Sequence, residues 1–147
     1  MNVRNINTLK KVISAILAFA CCLSMGITAF AGTLYSNSSK TVEANSTFNS
    51  YLYSPGSGNY VVHMDVTIPG SCYAALMGAN STSGPRYVVA HGDSAVPQEY
   101  NNTGSTAVTK GFGAYVPETY DYFAVRLKNK SNSSKTFTDV ELSSRAG

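Results

Sequence analysis

From Thr47 to the C-terminus the chain is a series of short apolar or alternating runs separated by Gly, Pro, Asn and Ser. "TFNSYLYS" stops at "PGSGN", "YVVHMDVTI" at "PGS", and "CYAALMGA" at "NSTSGP". "RYVVAH" stops at "GDSAVP", "TAVTKGFGAYV" at "PET", and "YDYFAVRLK" at "NKSNSSK", leaving "TFTDVELSS" near the end. Runs of this length, rich in β-branched and aromatic residues and bounded by turn formers, predict strands. The breaks have a mechanism: glycine reaches positive φ, proline presets φ, and Asn or Ser bonds its own backbone. With "SSKTVEA" as a weaker first strand, the pattern predicts an all-β fold, a single antiparallel β-sandwich of about eight short strands. The connections are short, and parallel neighbours would need longer crossovers.

Alternation also assigns faces. In "YVVHMDVTI", Tyr60, Val62, Met64, Val66 and Ile68 share one face, and Val61, His63, Asp65 and Thr67 the other. In "YDYFAVRLK", Phe123, Val125 and Leu127 point one way, and Tyr122, Ala124, Arg126 and Lys128 the other. The two apolar sets are the predicted core. Gly111 and Gly113 flank Phe112, and glycines inside a strand predict a bend or a close backbone approach.

Upstream the pattern changes character. Arg4, Lys10 and Lys11 precede the uncharged run "VISAILAFACCLSMGITAF", and Ala29-Phe30-Ala31 leads into the polar "GTLYSNSSK". A basic segment, an apolar segment and an A-x-A site predict a cleaved secretory signal peptide over 1–31. The domain is then 32–147, secreted, with no membrane span after cleavage. Cys21-Cys22 lacks the leucine that a lipid-attachment site places three residues before its cysteine.

Cleavage alters the charge. Of 11 Lys and Arg, three precede residue 32, which leaves eight against eight Asp and Glu. A near-neutral domain without a basic run does not predict nucleic acid as a partner. "RLKNKSNSSK" reads as the polar end of a strand and its turn. Cys72 is then the one cysteine of the domain, so no intramolecular disulfide is predicted; inside an apolar run it predicts a buried thiol, with an intermolecular disulfide or a reactive thiol as the alternative.

Both histidines occur as His-x-Asp: His63 with Asp65, and His91 with Asp93. On a strand the first pair would be neighbours on the polar face, roughly 7 Å apart at the backbone. If the two pairs converge, they form a four-ligand set that zinc accepts, or an aspartate orients a general base. No His-Glu-x-x-His spacing, nucleophile elbow or calcium loop accompanies them. No cofactor is therefore predicted, and a divalent metal such as zinc is the alternative.

The chain holds 10 Tyr and no Trp. Tyr53, Tyr100, Tyr115 and Tyr120 flank turns, where a rigid ring with a polar tip suits recognition. These features predict a secreted, non-catalytic binding or cell-surface interaction domain for an extracellular protein or carbohydrate. Homo-oligomerisation is left open. The alternatives are a small metal-dependent enzyme built on the His-x-Asp pairs, and a secreted antimicrobial or pore-forming effector. The latter has no amphipathic helix or cationic cluster behind it.

Overall fold

The computed structural model describes residues 32–55, 60–91, 95–116 and 120–146. The predicted signal peptide over 1–31 and Asp93 lie outside the described residues. Within them the chain is all-β, with antiparallel sheets and no helix. The strands are β1 (Gly32–Val42), β2 (Thr47–Asn49), β3 (Tyr60–Ile68), β4 (Cys72–Ala79), β5 (Tyr87–Val88), β6 (Ala90–His91), β7 (Val96–Pro97), β8 (Glu99–Asn102), β9 (Val108–Val116), β10 (Tyr122–Asn129) and β11 (Lys135–Ala146).

One sheet runs in the order β1-β11-β3-β9. A second runs β2-β10-β4, and β4 then pairs with β8 through Cys72–Ala75 and with β5 through Met77 and Gly78. β6 and β7 form a small ribbon of their own. There are more strands than the pattern of runs predicts because "RYVVAH" splits into β5 and β6, and because the short β7 and β8 lie where it predicts no strand. β1 is longer than "SSKTVEA": the polar "GTLYSN" joins it by pairing from Gly32↔Ser144 onward. It is an edge strand whose side chains are mostly exposed or half-buried, so Ser and Asn residues are accommodated there.

"TFNSYLYS" is shorter as a strand than its pattern suggests, and Ser50 is the reason. Its hydroxyl accepts the Val125 N–H at 3.0 Å, a bond a regular ladder would give to a backbone carbonyl. Pairing resumes at Tyr53, which exchanges both backbone bonds with Phe123.

The two sheets contribute to one core. Val62, Met64, Val66 and Ile68 of β3 are fully buried with Phe123, Val125 and Leu127 of β10, as the alternation predicts. Cys72, Ala74 and Leu76 of β4 and Phe137, Val140 and Leu142 of β11 complete it. Ala124 departs from the predicted polar face. It is buried with Ala75 and Met77 in a small cluster on the far side of the second sheet, covered by Leu52, Tyr73 and Val88.

The corners where the chain crosses between sheets are clasped by two buried asparagines. Asn129, at the end of β10, donates Nδ2–H bonds to Val42 O and Glu43 O, each at 3.0 Å, and to Ser133 O at 2.7 Å. Its Oδ1 accepts from Ser131 N at 2.9 Å and from Ser131 Oγ at 2.8 Å. Asn102, at the end of β8, repeats the arrangement with Ile68 O, Pro69 O and Thr106 O as acceptors and Gly104 N as donor. The turn entering each partner strand holds a residue at positive φ, Asn45 or Ser71. Each donates its N–H to the residue two beyond the clasping asparagine, Ser131 or Gly104. Gly70 is required here, since a Cβ would lie 2.6 Å from the Gly104 and Ser105 carbonyl oxygens. One corner joins β1-β2 to β10-β11, the other β3-β4 to β8-β9, so the clasps relate two halves of the architecture. A buried amide satisfies backbone groups that a corner leaves without ladder partners.

Candidate functional site

Two solvent-facing surfaces carry polar chemistry. The first is the outer face of the β1-β11-β3-β9 sheet. His63 and Asp65 project there from β3, and His63 Nε2 lies 3.1 Å from Asp65 Oδ1. Their side chains are 40% and 52% exposed, so this is a surface pair. The register sets Gly113 opposite His63 and Gly111 opposite Asp65. A Cβ on Gly111 would come within 3.2 Å of both the His63 ring and the Asp65 carboxylate. The missing side chain therefore leaves room for the pair to lie across β9, which is the close approach the two glycines predict.

His91 stands against the Tyr115 ring, with centroids 5.1 Å apart. Tyr115 lies one pleat beyond Gly113 on the same face of β9. The sequence candidates thus gather as His63 with Asp65 and His91 with Tyr115, and Asp93 falls outside the described residues. Among the described residues, no group of three or more His, Cys, Asp and Glu side chains is placed to hold a metal.

The remaining tyrosines do not join this face or one another. Tyr53 packs against Tyr35, with centroids 6.0 Å apart, at the open edge between β1 and β2. Burial, then Tyr35 and Tyr51, push its phenol above the usual value. Tyr100 closes the opposite edge beneath the Lys110 ammonium, 4.4 Å from its centroid. Lys40 covers Phe48 in the same way at 4.2 Å on the β1-β2 side. Tyr120 stacks on Tyr87, with centroids 6.3 Å apart, and lies over Gly78, where a Cβ would meet the ring.

The second surface is the outer face of β2-β10-β4-β8. The register aligns Thr47, Lys128, Tyr73 and Asn101 in one cross-strand row, and Asn49, Arg126, Ala75 and Glu99 in the next. Between strands the spacing is about 4.8 Å, so neighbours within a row can serve one ligand. A cavity of about 340 Å³, open to solvent, is lined by Thr47, Tyr73, Arg126, Lys128 and Lys130. Its walls are held by hydrogen bonds. Asn49 Oδ1 accepts from Arg126 Nε at 2.8 Å, and Asn101 Oδ1 from Lys130 Nζ at 2.9 Å. Lys130 Nζ also lies 5.5 Å from the Tyr73 ring centroid. Tyr73 donates its hydroxyl to Glu99. Burial first, and then the Glu99 carboxylate, hold that phenol protonated well above its usual value, with Arg126 opposing.

The candidate residues of the sequence reading do not include this cavity. Its signal is present: Arg126, Lys128 and Lys130 alternate, so a strand continued by its turn sets all three on one side. Read as a strand end, the segment shows three basic residues but not the Thr47 and Tyr73 that two other strands bring beside them.

Comparisons with protein-family models, with curated proteins and with solved structures find no match to this chain.

Proposed function

We propose that residues 32–147 are a secreted, non-catalytic binding domain that engages an extracellular ligand through the outer face of β2-β10-β4-β8. The supporting architecture is a β-sandwich. With the excursion β5–β7 set aside, eight principal strands remain, ordered β1-β11-β3-β9 and β2-β10-β4-β8, which is the connectivity of a jelly roll. That fold serves many purposes, so the function rests on the site rather than on the connectivity.

The observation that carries the reading is the cavity over β10 and β4. Both strands are paired on both sides, so Tyr73, Arg126 and Lys128 stand on the most constrained backbone of the sheet. Binding groups on rigid strands lose little freedom when a ligand arrives. An aromatic ring, a hydroxyl and three cationic heads are groups that hold a ligand by packing, hydrogen bonds and charge.

The test is a panel of immobilised extracellular polysaccharides and proteins probed with the exported protein and with its Tyr73→Ala/Lys128→Gln variant. Saturable binding that the variant loses, with the bound material recovered unmodified, is the expected result. Binding unaffected by the two changes would refute the site, and release of cleaved products would refute the non-catalytic reading.

A further inference from the structure

We infer that the cavity over β10 and β4 takes the acidic group of an anionic glycan, a sugar carrying a carboxylate or a sulfate. This rests on the binding reading above and names its ligand class.

The charge balance of the face comes first. Arg126, Lys128 and Lys130 converge on one cavity. Among the described residues, no carboxylate oxygen stands within ion-pair distance of any of the three. Two of them are instead held by the neutral oxygens of Asn49 and Asn101. An amide oxygen fixes the position of a cation without cancelling its charge, so the positive potential remains available to a ligand. Glu99 is the one carboxylate in the two cross-strand rows, and the Tyr73 hydroxyl donates to it. Three cations against one acid is a local excess in a domain whose eight basic and eight acidic side chains balance only as a whole.

The neighbours of the cations favour a sugar over an acidic peptide. Thr47 adds a hydroxyl, and Tyr73 adds an aromatic ring beside the charges. These are groups that bond hydroxyls and pack against the C–H face of a pyranose. A peptide adding to a sheet needs an unpaired edge. Here the cavity lies over two interior strands, whose backbone groups are already paired on both sides. The cavity is also at the small end of the range for ligand sites, which suits one sugar unit of a chain running across the face.

The experiment uses protein exported from cells expressing the full chain. Its affinity is measured by calorimetry for three oligosaccharides of equal length: an oligogalacturonate, a sulfated oligosaccharide and a neutral oligogalactose. An oligoglutamate serves as the peptide arm. At least one acidic sugar should bind about tenfold or more tighter than the neutral one, and the two acidic arms distinguish carboxylate from sulfate. Affinity should fall steeply with salt, because the contacts are ionic. Arg126→Gln and Lys128→Gln should each weaken binding by roughly tenfold while leaving the melting temperature unchanged. Equal affinity for the neutral sugar would overturn the acidic class while leaving the binding reading intact. Tighter binding of oligoglutamate would overturn the glycan. Full affinity in the Arg126→Gln/Lys128→Gln double variant, or no binding to either acidic sugar, would overturn the site assignment.

Discussion

Replacing Asn129 tests whether the corner clasps hold the two sheets together. The side chain is fully buried. Its Nδ2 has two hydrogens for three carbonyl acceptors, Val42 O, Glu43 O and Ser133 O, and its Oδ1 accepts both groups of Ser131. Counted conservatively, that is four conventional hydrogen bonds, and each is worth about 1 kcal/mol net. Asn129→Ala should therefore cost about 3 to 4 kcal/mol, somewhat less than the sum because water can enter the vacated space. For a domain of this size that lowers the melting temperature by roughly 12–16 °C. Asn129→Asp should be worse at neutral pH. Its carboxylate would face three carbonyl oxygens, so its folded-state pKa lies above the unfolded value of about 3.9. The folded chain then binds more protons than the unfolded one across that interval, and stability falls as pH rises through it. Urea unfolding followed by circular dichroism at several pH values measures both variants. A loss below about 1 kcal/mol for Asn129→Ala, or an Asn129→Asp variant whose stability does not fall with rising pH, would refute the clasp as a stabilising element.

Val125→Asp should destabilise severely, because it buries an unpaired carboxylate in the core, whereas Arg126→Ala beside it should cost less than about 1 kcal/mol; equal losses in paired denaturation curves would contradict the register of β10. Burial raises the Cys72 thiol above its usual value of 9.0, so the stability it contributes is complete below that pH and is lost as pH climbs through the folded-state value. A thiol reagent at neutral pH should accordingly react slowly with native protein and quickly in urea. Protein prepared without an affinity tag should carry no stoichiometric zinc by elemental analysis, and His63→Ala and His91→Ala should leave its metal content unchanged; one tight site lost in both variants would establish the metal alternative. N-terminal sequencing of exported protein should begin at Gly32, and a start at Cys21 or Cys22 would establish lipidation instead.

Period-two patterning made the core legible. Val62 to Ile68 alternate cleanly because one face meets the other sheet and the next meets water, and Phe123, Val125 and Leu127 share the inner face of β10 in the same way. The pattern failed where a side chain replaces the backbone in a ladder, as at Ser50, or where an outer face carries an apolar patch of its own, as at Ala124. The clasps were invisible for a different reason. "NTGST" and "NKSNS" share little beyond their first asparagine, because most partners of that amide are backbone carbonyls, which any residue supplies. The cavity was half legible: alternation gives three cations on one side, but only the pairing of β10 with β2 and β4 brings Thr47 and Tyr73 to them. The tyrosines chosen for their turns mostly seal edges, since an aromatic ring at the rim of two sheets finds apolar surface before it finds a ligand.

The pairing of Gly32 with Ser144 means that the first and last strands start and finish at the same corner of their sheet. A pull on the two ends would therefore part β1 from β11 crosswise, along the direction of the hydrogen bonds, which in an antiparallel pair lie perpendicular to the strands. The bonds would then fail one after another, as a zip opens, instead of resisting together as they do when strands slide lengthwise. Tethered by both ends in a moving fluid or a growing surface layer, such a domain would yield to low force. Tethered by one end only, it would carry no load through that seam, and the sheet of β2, β10, β4 and β8 would remain intact.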